Sequence, residues 1–525
     1  MKKCKVMQRI AVGSYLFLLI LPISGFLSEG ILKNDPVWNV RRLGLMWNSC
    51  LLAFLSACGC VAVGIPAAAQ IHNGRLRNSS KRWFFLLLAP VPYYIYALTW
   101  MCLARILGKA DRRWLAVSMT GLLPCLIVNI LAFLPVVTGL ILVSMEHYGR
   151  QHEEIAQVYA TDNKVLLRIV LPAIWPSVSA AGILVFILSV TDFSVPSLFQ
   201  YQTYTLELFS EYSRGCGLYQ IMKLAFPMVF LVLGLVLYAL KGIQTLSMDS
   251  LSKGKNGLNL TGGFSIVGYL AVLVCILQLA IPVFVFLWEI QNWENVWKSV
   301  MLCAGELLVS LIIAGLASIS ALCVAGPMGV WLSDKKNLWA GLALFPMAVP
   351  SSLIAMGLLR VVNGSFFHWL SQTVYFPALG CAVKYMPFVV LIFIARAKRI
   401  PQGELEIAKV FADSEAIYFF RVLLPAYWPA ILSSEILVFL LTLGDEGITL
   451  VLMPPGYETL AVKIYNYLHY GSGELVSGFC LIMTIVTAGL ILGAWGLLTR
   501  RKRRYPKADQ RRLGRKMNAQ SGKPE

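Results

Sequence analysis

Arg168-Ile169-Val170-Leu171-Pro172-Ala173-Ile174-Trp175-Pro176 is answered about 253 residues later by Arg421-Val422-Leu423-Leu424-Pro425-Ala426-Tyr427-Trp428-Pro429. The likeness runs on in the same register. Ile183-Leu184-Val185-Phe186 pairs with Ile436-Leu437-Val438-Phe439, and Asp192 falls on Asp445. Farther along, Thr205-Leu206 answers Thr459-Leu460. A period this long means that the chain is one architectural unit written twice, so each half must be read against the other.

Both copies lie in a chain of unusual solvent preference. The 525 residues are 58% hydrophobic and only 14% charged, with a mean hydropathy of +0.71, whereas soluble domains carry about 25% charged residues. About 20 apolar residues cross a bilayer core as a helix. Twelve such runs are expected. In the first half they are 10–26, 45–69, 83–103, 115–143, 178–198 and 224–240; in the second, 264–287, 300–324, 338–359, 376–394, 431–452 and 475–498. The expected fold is therefore an all-α integral membrane protein of two six-helix repeats. An even number of spans per half gives both the same orientation, as parallel repeats about an axis along the membrane normal. The divisions are 1–245 for the first repeat, 246–262 for a Ser-, Lys-, Gly- and Asn-rich linker, 263–499 for the second repeat and 500–525 for a basic tail.

A net charge of +19 would suggest nucleic acid in a soluble protein, but the positions of the charges argue otherwise. With Met1 inside, about 32 Lys and Arg fall in cytoplasmic segments and about 13 elsewhere, the positive-inside bias of a spanning protein. Both termini are then cytoplasmic, and no nucleic-acid partner is expected. The tail after Arg500 reads as a solvated stop-transfer anchor or as a contact for anionic headgroups. Lys2, Lys3 and Lys5 before an apolar run also resemble a secretory signal; removing that run would put the basic tail outside, so it is kept as the first helix. Twelve cysteines and five histidines show no metal-ligand or redox spacing, and no metal site is expected.

The loops preceding the repeated Leu-Pro are amphipathic. In Glu406-Ile407-Ala408-Lys409-Val410-Phe411-Ala412, the residues Ile407, Val410 and Phe411 recur at helical spacing, as do Ile155, Val158 and Tyr159 in Glu154-Ile155-Ala156-Gln157-Val158-Tyr159-Ala160. Such a stripe either packs on the protein's own helix ends or awaits a partner. Pro172 and Pro425 are expected to interrupt the backbone hydrogen bonds where the chain turns into the next span.

These residues resemble the signature of the permeases of binding-protein-dependent ABC importers: E-A-A, three residues, G, nine residues, I-x-L-P. Glu406, Ala408, Ala412, Val422, Leu424 and Pro425 fall on it at full spacing, with Ile407 and Ala412 replacing an alanine and the glycine. Glu154, Ala156, Ala160, Leu171 and Pro172 match in the first copy, which is one residue short before Arg168. The resemblance implies a type I importer fold and two coupling helices that dock on a dimer of cytoplasmic ATPase subunits, with Tyr159 and Phe411 as anchors and Glu154 and Glu406 paired to basic groups. It also implies an external solute-binding protein and residence in the inner membrane of a prokaryote. The chain carries no G-x-x-x-x-G-K-[ST] phosphate loop, so ATP and Mg are expected in the ATPase, with no cofactor on this chain and no enzymatic activity of its own.

Ionisable residues inside apolar spans are expensive and mark candidate pathways. Here they are Asp192, Glu306, Lys384, Glu435, Asp445 and Glu446. Asp192 and Asp445 either line the solute route or cap helix breaks or satisfy neighbouring polar groups, and Glu446 is a further candidate pathway residue; Lys384 is a candidate partner for Glu435 or Glu306. The segments Asp192-Phe193-Ser194-Val195-Pro196-Ser197-Leu198 and Glu458-Thr459-Leu460-Ala461-Val462-Lys463-Ile464-Tyr465-Asn466, with the fused architecture, resemble the ferric iron branch. Ferric iron is the leading cargo, with thiamine or an aminoalkylphosphonate next. An ion-gradient-driven carrier would also have repeated halves and buried carboxylates, yet it has no evident use for paired cytoplasmic signature loops.

Overall fold

Apolar runs in a bilayer must satisfy every backbone group internally, which selects helices. The computed structural model describes residues 2–27, 39–72, 92–109, 120–148, 155–245, 260–290, 293–333, 337–364, 366–400, 402–410, 414–469, 473–493 and 496, and none of these lies in a strand. The first repeat supplies α1 (Lys2–Leu27), α2 (Val40–His72), α3 (Tyr93–Lys109), α4 (Leu122–Tyr148), α5 (Asp162–Val190) and α6 (Leu218–Thr245). The second supplies α7 (Gly263–Glu289), α8 (Trp293–Leu332), α9 (Ser351–Asn363), α10 (Tyr375–Ala397), α11 (Phe419–Leu443) and α12 (Gly473–Gly493). The chain is thus an all-α membrane protein of two six-helix repeats.

Ten of these helices are long and apolar enough to cross a bilayer, not twelve. The two exceptions occupy the same place in each repeat. Of the expected span 83–103, residues 83–91 lie outside the described ones, and the rest is the 17-residue α3. The expected span 338–359 is three pieces, Asn337–Ala343, Phe345–Ala348 and α9. Pro346 and Pro350 cannot donate to a helix ladder, and Pro350 stands before α9 as Pro92 stands before α3.

A second departure concerns the fifth span of each repeat. The helices end at Val190 and Leu443, so the expected spans 178–198 and 431–452 are cut short. Short helices follow at Ser194–Leu198 and Thr449–Leu452, then longer ones at Tyr204–Ser213 and Leu460–His469. At the other end no turn occurs at Pro172 or Pro425. A five-residue π segment, Leu166–Val170 or Phe419–Leu423, runs directly into the following helix. The Leu171 N–H reaches Leu166 O and the Leu424 N–H reaches Phe419 O, a five-residue step. A proline ring clashes with the carbonyl four residues back, and the wider π turn relieves that clash without breaking the helix.

The repeats are interlocked. In each, the second, fourth and fifth spans pack together: α2 with α4 and α5, and α8 with α10 and α11. The first spans are exchanged, with α1 lying on α8 and α9 of the second repeat and α7 on α2, α3 and α4 of the first. Small residues allow the crossing, because helices in lipid associate through close backbone packing. A Cβ on Gly25 would overlap the carbonyl of Gly357, and one on Gly357 would overlap that of Pro22. The fully buried Tyr15 of α1 donates its hydroxyl to Ala343 O of the second repeat.

The helices Tyr204–Ser213 and Leu460–His469 are held on α2 and α8 by the same device. Ser49 Oγ accepts the Tyr204 N–H at 2.8 Å, and Ser310 Oγ accepts the Leu460 N–H at 2.8 Å. Ion pairs finish the attachment with opposite polarity. Arg41 and Arg42 of α2 meet Glu207 and Glu211 in the first repeat. In the second, Lys463 meets Glu306 of α8 at 2.6 Å. The Cys216 thiol, which donates to Glu211 at 2.9 Å, holds that carboxylate below its usual range together with Arg42 and Arg214. Lys463→Met leaves Glu306 unpaired in a poorly hydrated site and is expected to cost about 1–3 kcal/mol. Thermal unfolding in detergent measures this, and Glu306→Lys with Lys463→Glu, copying the polarity of the first repeat, should regain most of the loss.

Candidate functional site

Two places gather the residues singled out in the sequence. At one end of the molecule are the loops before the repeated Leu-Pro. In the first, residues 155–157 form one helical turn, closed by the Tyr159 and Ala160 N–H groups on Ala156 O. Ala156 is buried against α2 and α4, while Ile155, Val158 and Tyr159 point outward, Tyr159 being 87% exposed. Gln157 donates to Asp162 at 3.0 Å, and Asn163 exchanges two hydrogen bonds with Thr261 beside the start of α7. The loop is therefore anchored at its base with its apolar face left open.

The second loop repeats the pattern on a longer helix, Gln402–Val410. Ile407 is exposed and Val410 is 81% exposed, while Ala408 is half-buried. Arg396 at the end of α10 donates to Ala426 O at 2.8 Å and ties the loop's root to the helix containing Leu424 and Pro425. Leu171, Pro172, Leu424 and Pro425 open the long helical runs just beyond the π segments. Glu154, Phe411 and Ala412 lie outside the described residues, and Glu406 is described in its backbone alone.

The second place is where the helices break after the fifth spans. Asp192 and Asp445 are not inside their spans but just past them. Asp192 accepts the Ser194 N–H at 3.0 Å and the Val195 N–H at 3.2 Å. Asp445 accepts the Ile448 N–H at 2.7 Å and the Tyr385 hydroxyl at 2.6 Å. Both carboxylates therefore cap the helices that follow, satisfying N–H groups that would otherwise be orphaned in a dry interior.

The fold brings the two breaks together across the repeats. A Cβ on Gly447 would stand 3.1 Å from the Phe193 ring and 3.0 Å from Ser351, and one on Gly444 would stand 2.8 Å from Pro92. Asp192, Asp445 and Glu446 are all buried there. Glu446 is in electrostatic reach of both aspartates, and Tyr93 at the start of α3 is in reach of all three carboxylates. Lys384 does not pair with Glu435 or Glu306: it donates to Val349 O at 2.5 Å, and Glu306 belongs to Lys463. Among the described residues no set of three or more His, Cys, Asp or Glu is arranged to hold a metal ion.

Comparison with known proteins agrees with the duplication. The binding-protein-dependent transport system inner membrane component family matches residues 61–249 and again 323–504. The chain belongs to this family. It is similar to the Fe(3+)-transport system permease protein FbpB 2 of Haemophilus influenzae, 23% identical over 82% of this chain and 86% of that protein. The putative 2-aminoethylphosphonate transport system permease protein PhnV of Salmonella typhimurium is 28% identical over 35% of this chain and 71% of its own length. The spermidine/putrescine transport system permease protein PotC of Escherichia coli is 28% identical over 109 residues, 21% of this chain and 41% of its own length, so the chain spans about two fifths of that relative. Members of this family are multi-pass inner-membrane permeases, and this one carries the family unit twice.

Sequence reading missed several residues that this permease uses. Tyr93 and Tyr385 complete the buried junction, and Gly25 with Gly357 lets the exchanged helix dock. The only written signal for Tyr93 is its place after Pro92, matched by Ser351 after Pro350. An isolated glycine in an apolar run carries no signal of its crossing partner.

Proposed function

We propose that this permease is the membrane-spanning subunit of an ATP-driven importer that receives its solute from an external binding protein, with ferric iron as the solute. The observation that carries the reading is the pair of open apolar faces at equivalent places in the two repeats, Ile155, Val158 and Tyr159 in one and Ile407 and Val410 in the other. An amphipathic helix leaves such a face uncovered when a groove on another protein receives it. Two equivalent faces on one polypeptide suit a dimer of identical ATPase subunits, with Glu154 and Glu406 as the proposed partners of its basic groups and Phe411 as the proposed anchor of the second loop. The loops and both termini then lie in the cytoplasm, as the distribution of Lys and Arg supports. ATP and Mg belong to the ATPase.

In this reading closure of the ATPase dimer pushes the two loops together. Each loop is tied at its base to the start of α7 or to α11, so the push passes into the exchanged bundles. The long helical runs through the π segments behave as rigid levers that reach the helix breaks at the other end. Solute released by the binding protein enters where those breaks part.

Ferric iron is favoured by the fused architecture and by the likeness over most of the chain to an Fe(3+) permease. Thiamine and aminoalkylphosphonates follow, the latter supported by the phosphonate permease relative. The test is reconstitution of the chain with its ATPase and binding protein in lipid vesicles. Binding protein loaded with ferric iron is expected to raise ATP hydrolysis several-fold over the empty protein. Accumulation of solute by vesicles holding this chain alone, driven by a proton or sodium gradient, would sink the proposal.

A further inference from the structure

We infer that the buried junction of the two helix breaks is a cation-selective gate on the solute route, with Glu446 as its specificity-determining carboxylate and a metal cation or ammonium-bearing solute as its cargo. The inference rests on the importer reading above and adds to it a place and a charge preference. The breaks meet at Gly447 and Phe193, and Gly444 of the second break lies against Pro92 at the start of α3. Any solute passing between the repeats at this level must part them.

The three carboxylates there do not have equal duties. Asp192 spends both oxygens on backbone N–H groups, and Asp445 spends its own on Ile448 and Tyr385. Their work is to hold the breaks. Glu446 caps no helix, and its Oε1 is enclosed with no hydrogen-bond partner among the described residues. The first repeat provides an internal control, since it builds the same break with Phe193 where the second has Glu446. The fold of the break does not require a carboxylate at this position.

Another polar atom near Glu446 is also left open. Tyr94 Oη, in electrostatic reach of Glu446, is buried and has no hydrogen-bond partner among the described residues, while the Ser194 hydroxyl, at the head of the facing short helix, lies beside Glu446 and Asp192. Burying such groups unpaired costs free energy, and a passing ligand that supplies donors or positive charge recovers it. Lys384 is the cation in reach of Asp445, and its ammonium is already engaged by Val349 O. Among the described residues the junction offers three carboxyl groups and one ammonium that is already engaged, a set rich in acceptors that suits a positive or donor-bearing group better than a free anion. No chelating set is present among the described residues, so the site suits transient passage rather than a resident ion.

The experiment uses the complete transporter, with its ATPase and binding protein, in vesicles. It measures uptake of ferric iron and, separately, of spermidine, with the net-anionic 2-aminoethylphosphonate as the contrast, each divided by the ATP hydrolysed. With Glu446→Gln the amount of the transported cation moved per ATP is expected to fall about tenfold or more. Glu446→Phe, which copies the first repeat, is expected to do the same while retaining packing. An unchanged ratio in either folded variant overturns the gate and leaves the importer intact. Failure of both variants to fold also overturns it, because the carboxylate would then be structural. An unmodified transporter that moves none of these solutes with ATP, or moves only an anion, defeats the cargo reading itself.

Discussion

Replacing Tyr159 and Val410 together with aspartate is expected to leave the permease inserted and folded but unable to retain its ATPase. Both side chains are more than four-fifths exposed, so neither substitution disturbs packing within the chain. Apolar anchors that are uncovered in the free protein and buried in a complex are where truncation costs most, about 2 kcal/mol or more each, which is roughly 30-fold in affinity. A carboxylate costs more than truncation, since a charge must then be desolvated. If the two loops engage one ATPase dimer as proposed, each reinforces the other by avidity. Either single change should weaken retention and the pair should abolish it. Co-purification in detergent, with unfolding temperature as the control for integrity, reads this directly. Undiminished retention by the double variant would mean that the faces serve something other than the ATPase.

Gly25→Val is expected to act at a different level, on assembly of the two repeats. The added Cβ would overlap the Gly357 carbonyl, and neither backbone can yield without lifting α1 from α9. Overpacking of this kind costs about 1–3 kcal/mol where side chains absorb it; here backbone must move, so the upper end is expected. Gly357→Val should give the same loss, because it strikes Pro22 O on the same crossing. The comparison is Gly13→Ala, on the same helix with open space around the position, which should be neutral or slightly stabilising through the helix preference of alanine. Thermal unfolding in detergent and the yield of monodisperse protein distinguish the three. Equal behaviour of Gly25→Val and Gly13→Ala would refute the close crossing.

The two results separate what each part of the molecule does. Tyr159 and Val410 are surface residues, proposed to meet another protein, and changing them is expected to leave the fold alone. Gly25 and Gly357 contribute no chemistry, and changing them removes the scaffold on which the junction of the breaks depends. Glu446 stands between these cases, buried like a structural residue and yet with one carboxylate oxygen unpartnered among the described residues.

Composition and period sufficed to establish a duplicated, all-helical membrane chain, because the bilayer allows few solutions and the repeat registers itself at Arg168 and Arg421. The amphipathic loops were equally legible, since the spacing of Ile155, Val158 and Tyr159 is a local property of one helical turn. Even the alternative that Asp192 and Asp445 cap helix breaks could be posed, because a short acidic side chain near the end of an apolar run has few other uses. Continuity or interruption of helices was not legible. Pro172 and Pro425 sit within unbroken runs, because a π turn absorbs them, whereas Pro346 and Pro350 stand at true interruptions; the difference lies in the packing around each proline. Exchange of α1 and α7 between the repeats was decided by tertiary structure alone, as was the meeting of Glu446 with Asp192. Lipid presents the same apolar surroundings to every span, so hydropathy cannot say which helix touches which. Close backbone crossings such as Gly25 on Gly357, and buried polar partners such as Tyr385 on Asp445, make that choice, and they exist only once the helices have come together.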